Sequence, residues 1–184
     1  MRSMKKIPLF FSLLIFIFNA SAQDYKLTDA NSKVEFEIDN NLVFKTTVDG
    51  TLSGLTGQLH WDEKDVSNSK VSASVKISTI ETGIKRRNRH LQEEEYFNAQ
   101  KYPTITITST EIKAGKEPKN YILYGKITMK GITKHIQIPF VTTHYQNKLL
   151  LSAQFKLNRK DFGIGPDNSI ADELLVKLAV MAEE

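Results

Sequence analysis

Few side chains in this sequence stand in spacings that do chemistry. The four histidines, His60, His90, His135 and His144, form no His-x-His or His-x-x-x-His pair that would set two metal ligands on one face. There is no cysteine, which excludes a thiol nucleophile, disulfides, Cys-ligated zinc and iron–sulfur clusters. No Gly-x-Ser-x-Gly elbow is present. Gly50, Gly54 and Gly57 do not make Gly-x-Gly-x-x-Gly, and Lys130-Gly131-Ile132-Thr133 lacks the order of a phosphate loop. Spacing alone names no nucleophile, acid or base.

Two polar clusters remain. Lys85, Arg86, Arg87, Arg89 and His90 crowd into one short segment. One reading is an anion clamp at a pocket mouth, with Arg87 or Arg89 gripping a phosphate or carboxylate. The other is a solvated helix face, in which Arg89 and Glu93, or His90 and Glu94, are i,i+4 neighbours worth only about 0.3–0.5 kcal/mol. Glu93, Glu94 and Glu95 follow at once and argue against nucleic acid as a partner. The second cluster is Asn158-Arg159-Lys160-Asp161-Phe162-Gly163, a strand end running into a turn. Trp61, beside His60 and Asp62, reads either as core or as pocket lining.

The elements that must position these groups read mainly as strands. Val34, Phe36 and Ile38 alternate with acids, and Val71, Ala73, Val75 and Ile77 alternate with Ser and Lys. Ile105 and Ile107, then Ile136, Ile138 and Phe140, then Leu149, Leu151, Ala153, Phe155 and Leu157, continue the pattern. Period 2 puts each apolar set on one face. Residues 41–47 and 51–61 are expected as strands bent at Gly50, Gly54 and Gly57, and residues 121–129 as a strand through Gly125. That makes roughly eight strands, the spacing of an antiparallel sandwich or barrel. Residues 82–101 lack alternation and read as a short helix plus a loop ending before Pro103. Residues 172–184 fit either an amphipathic helix or a last strand carrying Leu174, Val176, Leu178 and Val180.

At the N-terminus, Arg2, Lys5 and Lys6 precede an apolar run over residues 7–18 and a small-x-small Ala20-Ser21-Ala22. This is a secretory signal pattern, and the run is shorter than the ~20 residues that cross a bilayer. We expect a signal peptide over residues 1–22 and one domain over residues 23–184, with no transmembrane segment in the mature chain. Removal of the signal takes the formal charge from +4 to +1, a weak reason to expect anionic partners.

Three stretches together resemble the YceI-like family. They are Ser78-Thr79-Ile80-Glu81-Thr82-Gly83 through Arg87-Asn88-Arg89-His90-Leu91 to Tyr96-Phe97-Asn98-Ala99-Gln100-Lys101-Tyr102-Pro103, then Gly125-Lys126-Ile127-Thr128-Met129-Lys130-Gly131-Ile132-Thr133-Lys134, then Leu157-Asn158-Arg159-Lys160-Asp161-Phe162-Gly163-Ile164. The resemblance implies an all-β fold: an antiparallel eight-stranded lipocalin-like barrel with a short helical insert and a closing C-terminal strand. It implies a periplasmic or secreted protein whose apolar cavity holds an isoprenoid or other long amphiphilic lipid as carrier, store or sensor. Asn88 and Asn98 stand where the family often has Asp, which implies a weaker polar network around the insert.

For such a barrel the alternating sets nominate Phe36, Ile38, Val75, Ile77, Ile107, Met129, Ile138, Phe140, Ala153 and Phe155 as wall residues. Arg87, His90, Arg159 and Asp161 are the polar candidates for meeting a head group or bracing the mouth. A lipid is the only partner and cofactor implied, and a homodimer is compatible with the same residues. Two alternatives stay open. One is an enzyme acting on a small hydrophobic substrate through His90 with Asp161 or Arg159. The other is a filled barrel that binds a protein partner.

Overall fold

The alternating segments form nine strands in this computed structural model, which describes residues 22–41 and 45–184. They are β1 (Gln23–Thr28), β2 (Lys33–Asn41), β3 (Lys45–Trp61), β4 (Lys70–Glu81), β5 (Thr104–Ala114), β6 (Asn120–Met129), β7 (Ile132–Tyr145), β8 (Lys148–Asn158) and β9 (Ile170–Glu183). Helix α1 (Lys85–Gln92) lies between β4 and β5, with single 3-10 turns at Val66–Asn68 and Arg159–Phe162. The expected signal peptide lies outside the described residues, apart from Ala22.

All pairings are antiparallel. The order β3-β2-β9-β8-β7-β6-β5-β4 returns to β3, which closes an eight-stranded barrel and removes the free edges of the sheet. β1 shares a stave with β2. β2 pairs with the first half of β3 and β1 with the second half, and β1 also reaches the end of β9 through Lys26 and Leu27. The handover is made at Gly54, whose φ of +71° suits a residue without Cβ. There the Asp29 carboxylate accepts from the N–H groups of Gly54 and Leu55, both at 2.8 Å.

The C-terminal ambiguity resolves to a strand. β9 pairs with both β2 and β8, setting Val176 opposite Phe36 and Phe155, and Leu174 opposite Ile38 and Leu157. A helix there would bury no more apolar surface and would leave two strand edges unpaired. Residues 41–47 are not one strand, because Asn41 ends β2 and pairs with Lys45 at the start of β3; residues 42–44 lie outside the described residues.

The barrel has two unlike ends. At one, Trp61 is 2% exposed and belongs to the core. Its ring meets Tyr121 edge-on at 4.8 Å and Phe140 at 6.2 Å, and Leu149 and Ala182 fill in around them. At the other end β4 runs into α1. Leu91 and Phe97 pack against Leu52, Leu55, Val75 and Ile80, while Tyr96 and Phe97 pack against Ile127, Met129, Phe162 and Ile164.

The network around the insert is intact, contrary to the expectation from Asn88 and Asn98. Asn88 is buried, and its carbonyl oxygen accepts from the Thr82 N–H at 2.9 Å and the Thr82 hydroxyl at 2.6 Å. Its amide donates to Glu81 at 2.8 Å, a bond an aspartate could not make. Asn98 sits at φ 50°, a left-handed geometry that Asn tolerates.

Candidate functional site

Inside the barrel lies a cavity of about 870 Å³, within the range of small-molecule sites. Its wall is almost wholly aliphatic and aromatic, because the inward sets of all eight staves converge on it. Near Trp61 it stops at Phe140, Ile138 and Leu59, all buried. Near α1 its lining includes the exposed side chains of Ile84, Arg86, Arg89 and His90, so the cavity opens beside the helix.

Of the wall residues expected from sequence, Phe36, Ile38, Val75, Ile107, Met129, Ile138, Phe140, Ala153 and Phe155 line this cavity. Ile77 does not, although it is only 1% exposed. The β3–β4 register slips on both sides of the Ser53–Lys76 pair, between Thr56 and Ser53 and again between Ser53 and Thr51; in the second slip β4 carries extra residues, from Lys76 to Glu81, and the period-2 phase is lost. Thr79 anchors the distortion by accepting from the Ser53 N–H at 2.8 Å, and the Ile77 N–H donates to the Pro103 carbonyl at 2.9 Å.

Of the polar candidates, Arg87, His90 and Arg159 line the cavity and Asp161 does not. Arg87 reaches the mouth but turns back, donating to the Thr82 hydroxyl at 2.7 Å and the Thr82 carbonyl at 2.5 Å. His90 also lines the mouth; its Nδ1 lies 2.9 Å from Glu93, and its ring stands edge-on to Tyr96 at 4.7 Å. Arg159 is 6% exposed and braces the rim, donating to the carbonyls of Ala171 (3.0 Å), Ile164 (2.8 Å), Pro166 (3.1 Å) and Ile170 (3.1 Å). It also pairs with Asp172 at 3.0 Å. Asp161 is off the site: the 3-10 turn aims Phe162 and Arg159 inward and leaves Asp161 in solvent. Asp161 therefore stays out of the site, and among the described residues no hydrogen bond joins His90 to Arg159.

Arg89, one of the two arginines expected as an anion clamp, does stand at the mouth, and Arg86 joins it there without having been singled out by the sequence. Both line the opening, and among the described residues neither has an acidic partner within 4 Å. Helical spacing could have flagged Arg86 from Arg89, since positions three apart share a face. Asn40 lines the same side, with a buried Oδ1 that has no hydrogen-bond partner among the described residues. The missed apolar wall is β9, where Leu174, Val176, Leu178 and Val180 all face the cavity. No helix among the described residues is long and apolar enough to cross a membrane.

Comparison with known proteins gives a consistent picture. A family model described as "YceI-like domain" matches residues 25–182. A UPF0312 protein of Photorhabdus laumondii is 37% identical over 87 residues, 47% of this chain and 44% of that one, so this match spans less than half of the relative. Protein YceI of Salmonella newport is 29% identical over 182 residues, 89% of this chain and 90% of that one. Among solved structures, Burkholderia cenocepacia BcnA superposes with a TM-score of 0.77 at 22% identity, covering 84% of this chain and 98% of that one. A polyisoprenoid binding domain from Saccharophagus degradans superposes with a TM-score of 0.67 at 14% identity, covering 86% and 97%. At these identities the two structures share the fold.

Proposed function

Because this chain belongs to the YceI-like family, we propose that it binds one isoprenoid or other long amphiphilic lipid, as a carrier, store or sensor in the cell envelope. The observation that carries this reading is the cavity itself, apolar along its length, closed at Phe140 and open beside α1. Each methylene moved from water into such a wall gains about 0.8 kcal/mol before the costs of association. A tail therefore supplies affinity without any polar contact. The head group stays at the mouth, where Arg86 and Arg89 offer charge and Asn40 offers an acceptor. The polyisoprenoid binding of the Saccharophagus domain supports the choice of ligand class by analogy.

A filled barrel serving only as an interaction module fits less well, since its side chains would have to meet across the axis where about 870 Å³ is open. The enzyme alternative loses support because Asp161 lies off the site and the Arg159 guanidinium is spent on rim carbonyls and Asp172. The signal-like N-terminus supports export, and an exported binder of this kind would carry a membrane-derived lipid through water.

Native mass spectrometry of protein purified from its own envelope, followed by extraction and lipid identification, tests the reading. A stoichiometric adduct carrying a prenyl or long acyl chain is expected. A clean unliganded mass, with no uptake of added isoprenoids or fatty amphiphiles, would sink it.

A further inference from the structure

The cavity's closed end is built from one ring leaning on two others. Phe140 is 6% exposed, lines the cavity, and stacks against Tyr121 at 5.4 Å and Trp61 at 6.2 Å. Behind it lie Trp61, Tyr121, Leu149 and Ala182, none more than 9% exposed and none of them on the cavity wall. Trp61 and Tyr121 meet edge-on at 4.8 Å, so Phe140 rests on a packed aromatic base. Interiors packed in this way yield little to a probe pressed against them.

We propose that Phe140, backed by Trp61 and Tyr121, is a length gauge that selects amphiphiles by the reach of their tails. This rests on the lipid-binding reading above. A tail entering beside α1 gains contact carbon by carbon until its tip meets Phe140. Up to that point each added methylene tightens binding about fourfold. Beyond it, further carbons must fold back or stay in water at the mouth, and the gain stops. Chain length is therefore read at the floor, independently of the head group at the rim.

The protein carries its own reporter, because Trp61 is the only tryptophan in the sequence and sits behind the gauge. The delipidated full-length protein, its Phe140→Leu variant and its Phe140→Ala variant are each titrated with all-trans prenyl alcohols, from geraniol through farnesol and geranylgeraniol to solanesol. Fatty acids brominated at the tail tip or beside the carboxyl are titrated in parallel, with Trp61 fluorescence as the readout. The expected result is an affinity that climbs with length and then levels, with the plateau displaced to longer chains in the variants. Tip-brominated chains of sufficient length quench Trp61, whereas carboxyl-end bromination does not. Phe140→Leu keeps an apolar side chain at the floor, so the comparison stands if Phe140→Ala fails to fold. A plateau unmoved in the folded variants, affinity that rises without levelling, or equal quenching from both bromine positions overturns the gauge alone. No binding by any chain to the unaltered protein overturns the lipid-binding reading as well.

Discussion

The ring of Phe36 fills the space that a side chain on Gly50 would need. The two residues are direct partners in the β2–β3 ladder, and a Cβ on Gly50 would fall 2.2 Å from the Phe36 Cζ and 2.5 Å from Cε1. Phe36 can therefore lie along the cavity wall.

Gly50→Ala should push the Phe36 ring into the cavity. We expect a stability loss of about 1–3 kcal/mol, typical of overpacking, and a weaker uptake of lipid. Adding Phe36→Leu to Gly50→Ala should restore much of the stability, which a urea double-mutant cycle measures. Additive losses would show that the ring and the glycine are independent.

Arg159 should be one of the costliest side chains to truncate. Arg159→Ala leaves four rim carbonyls without their donor, and a loss of about 3–5 kcal/mol in urea unfolding is expected for breaking a buried charged network. Arg159→Lys should recover only part of it, because one ammonium cannot reproduce the planar fork. A full recovery would mean that charge alone matters.

Asn88→Asp should invert the local pH response. In the native chain the Asn88 amide, and after it the Gly83 N–H, hold the Glu81 carboxyl below the usual range. A carboxylate at position 88 removes the leading donor and faces Glu81 with a like charge. The variant should be less stable than the parent at neutral pH and should approach it as acid neutralises one of the pair. Parallel urea curves across pH decide this, and a constant gap between the two proteins counts against it.

The whole protein should lose stability on both sides of neutrality. Asp39 is depressed by hydrogen bonds from Lys45 and Thr47, Asp62 by the Asp65 N–H and Asn68, and Asp167 by Lys160. Groups depressed in the folded state stabilise it above their unfolded pKa of about 4, and that contribution disappears as pH falls through their folded values. Lys177 is raised by its bond to Glu37, and Tyr25 is raised chiefly by burial. Both favour the fold below about pH 10, and the benefit is lost as pH rises through their folded values. Equilibrium unfolding from acid to alkali should show a plateau with a fall at each end.

Ala153→Trp should empty the site while leaving the barrel standing. Ala153 lines the cavity opposite Phe140 on β7 and Leu178 on β9, where a large ring has open volume to enter. Lipid uptake should fall sharply with the midpoint of unfolding unchanged or raised. Undiminished uptake would show that the tail does not pass this position.

The alternation of β2, β5, β7 and β8 made most of the wall legible from sequence, because period 2 survives wherever a strand stays regular. It failed at Ile77, where the β4 distortion changes which face a residue meets, and no local pattern announces that slip. The polar rim was read less well, since Arg87 and Arg159 look like ligand contacts by type. Their donors instead serve carbonyls and a hydroxyl in their own rim segments, and only the folded chain reveals such partners. The last strand was legible in its Leu174, Val176, Leu178 and Val180 pattern, yet that segment's helix propensity pointed the other way until closure of the barrel decided it.

Gln23 begins β1 opposite Trp61, and its side-chain amide donates to the Glu184 carboxylate. Gln23 and Glu184 thus stand side by side at the sealed base, a barrel's length from the entrance. A tether, tag or surface attachment made at either position holds the molecule by its base and presents the entrance to the medium.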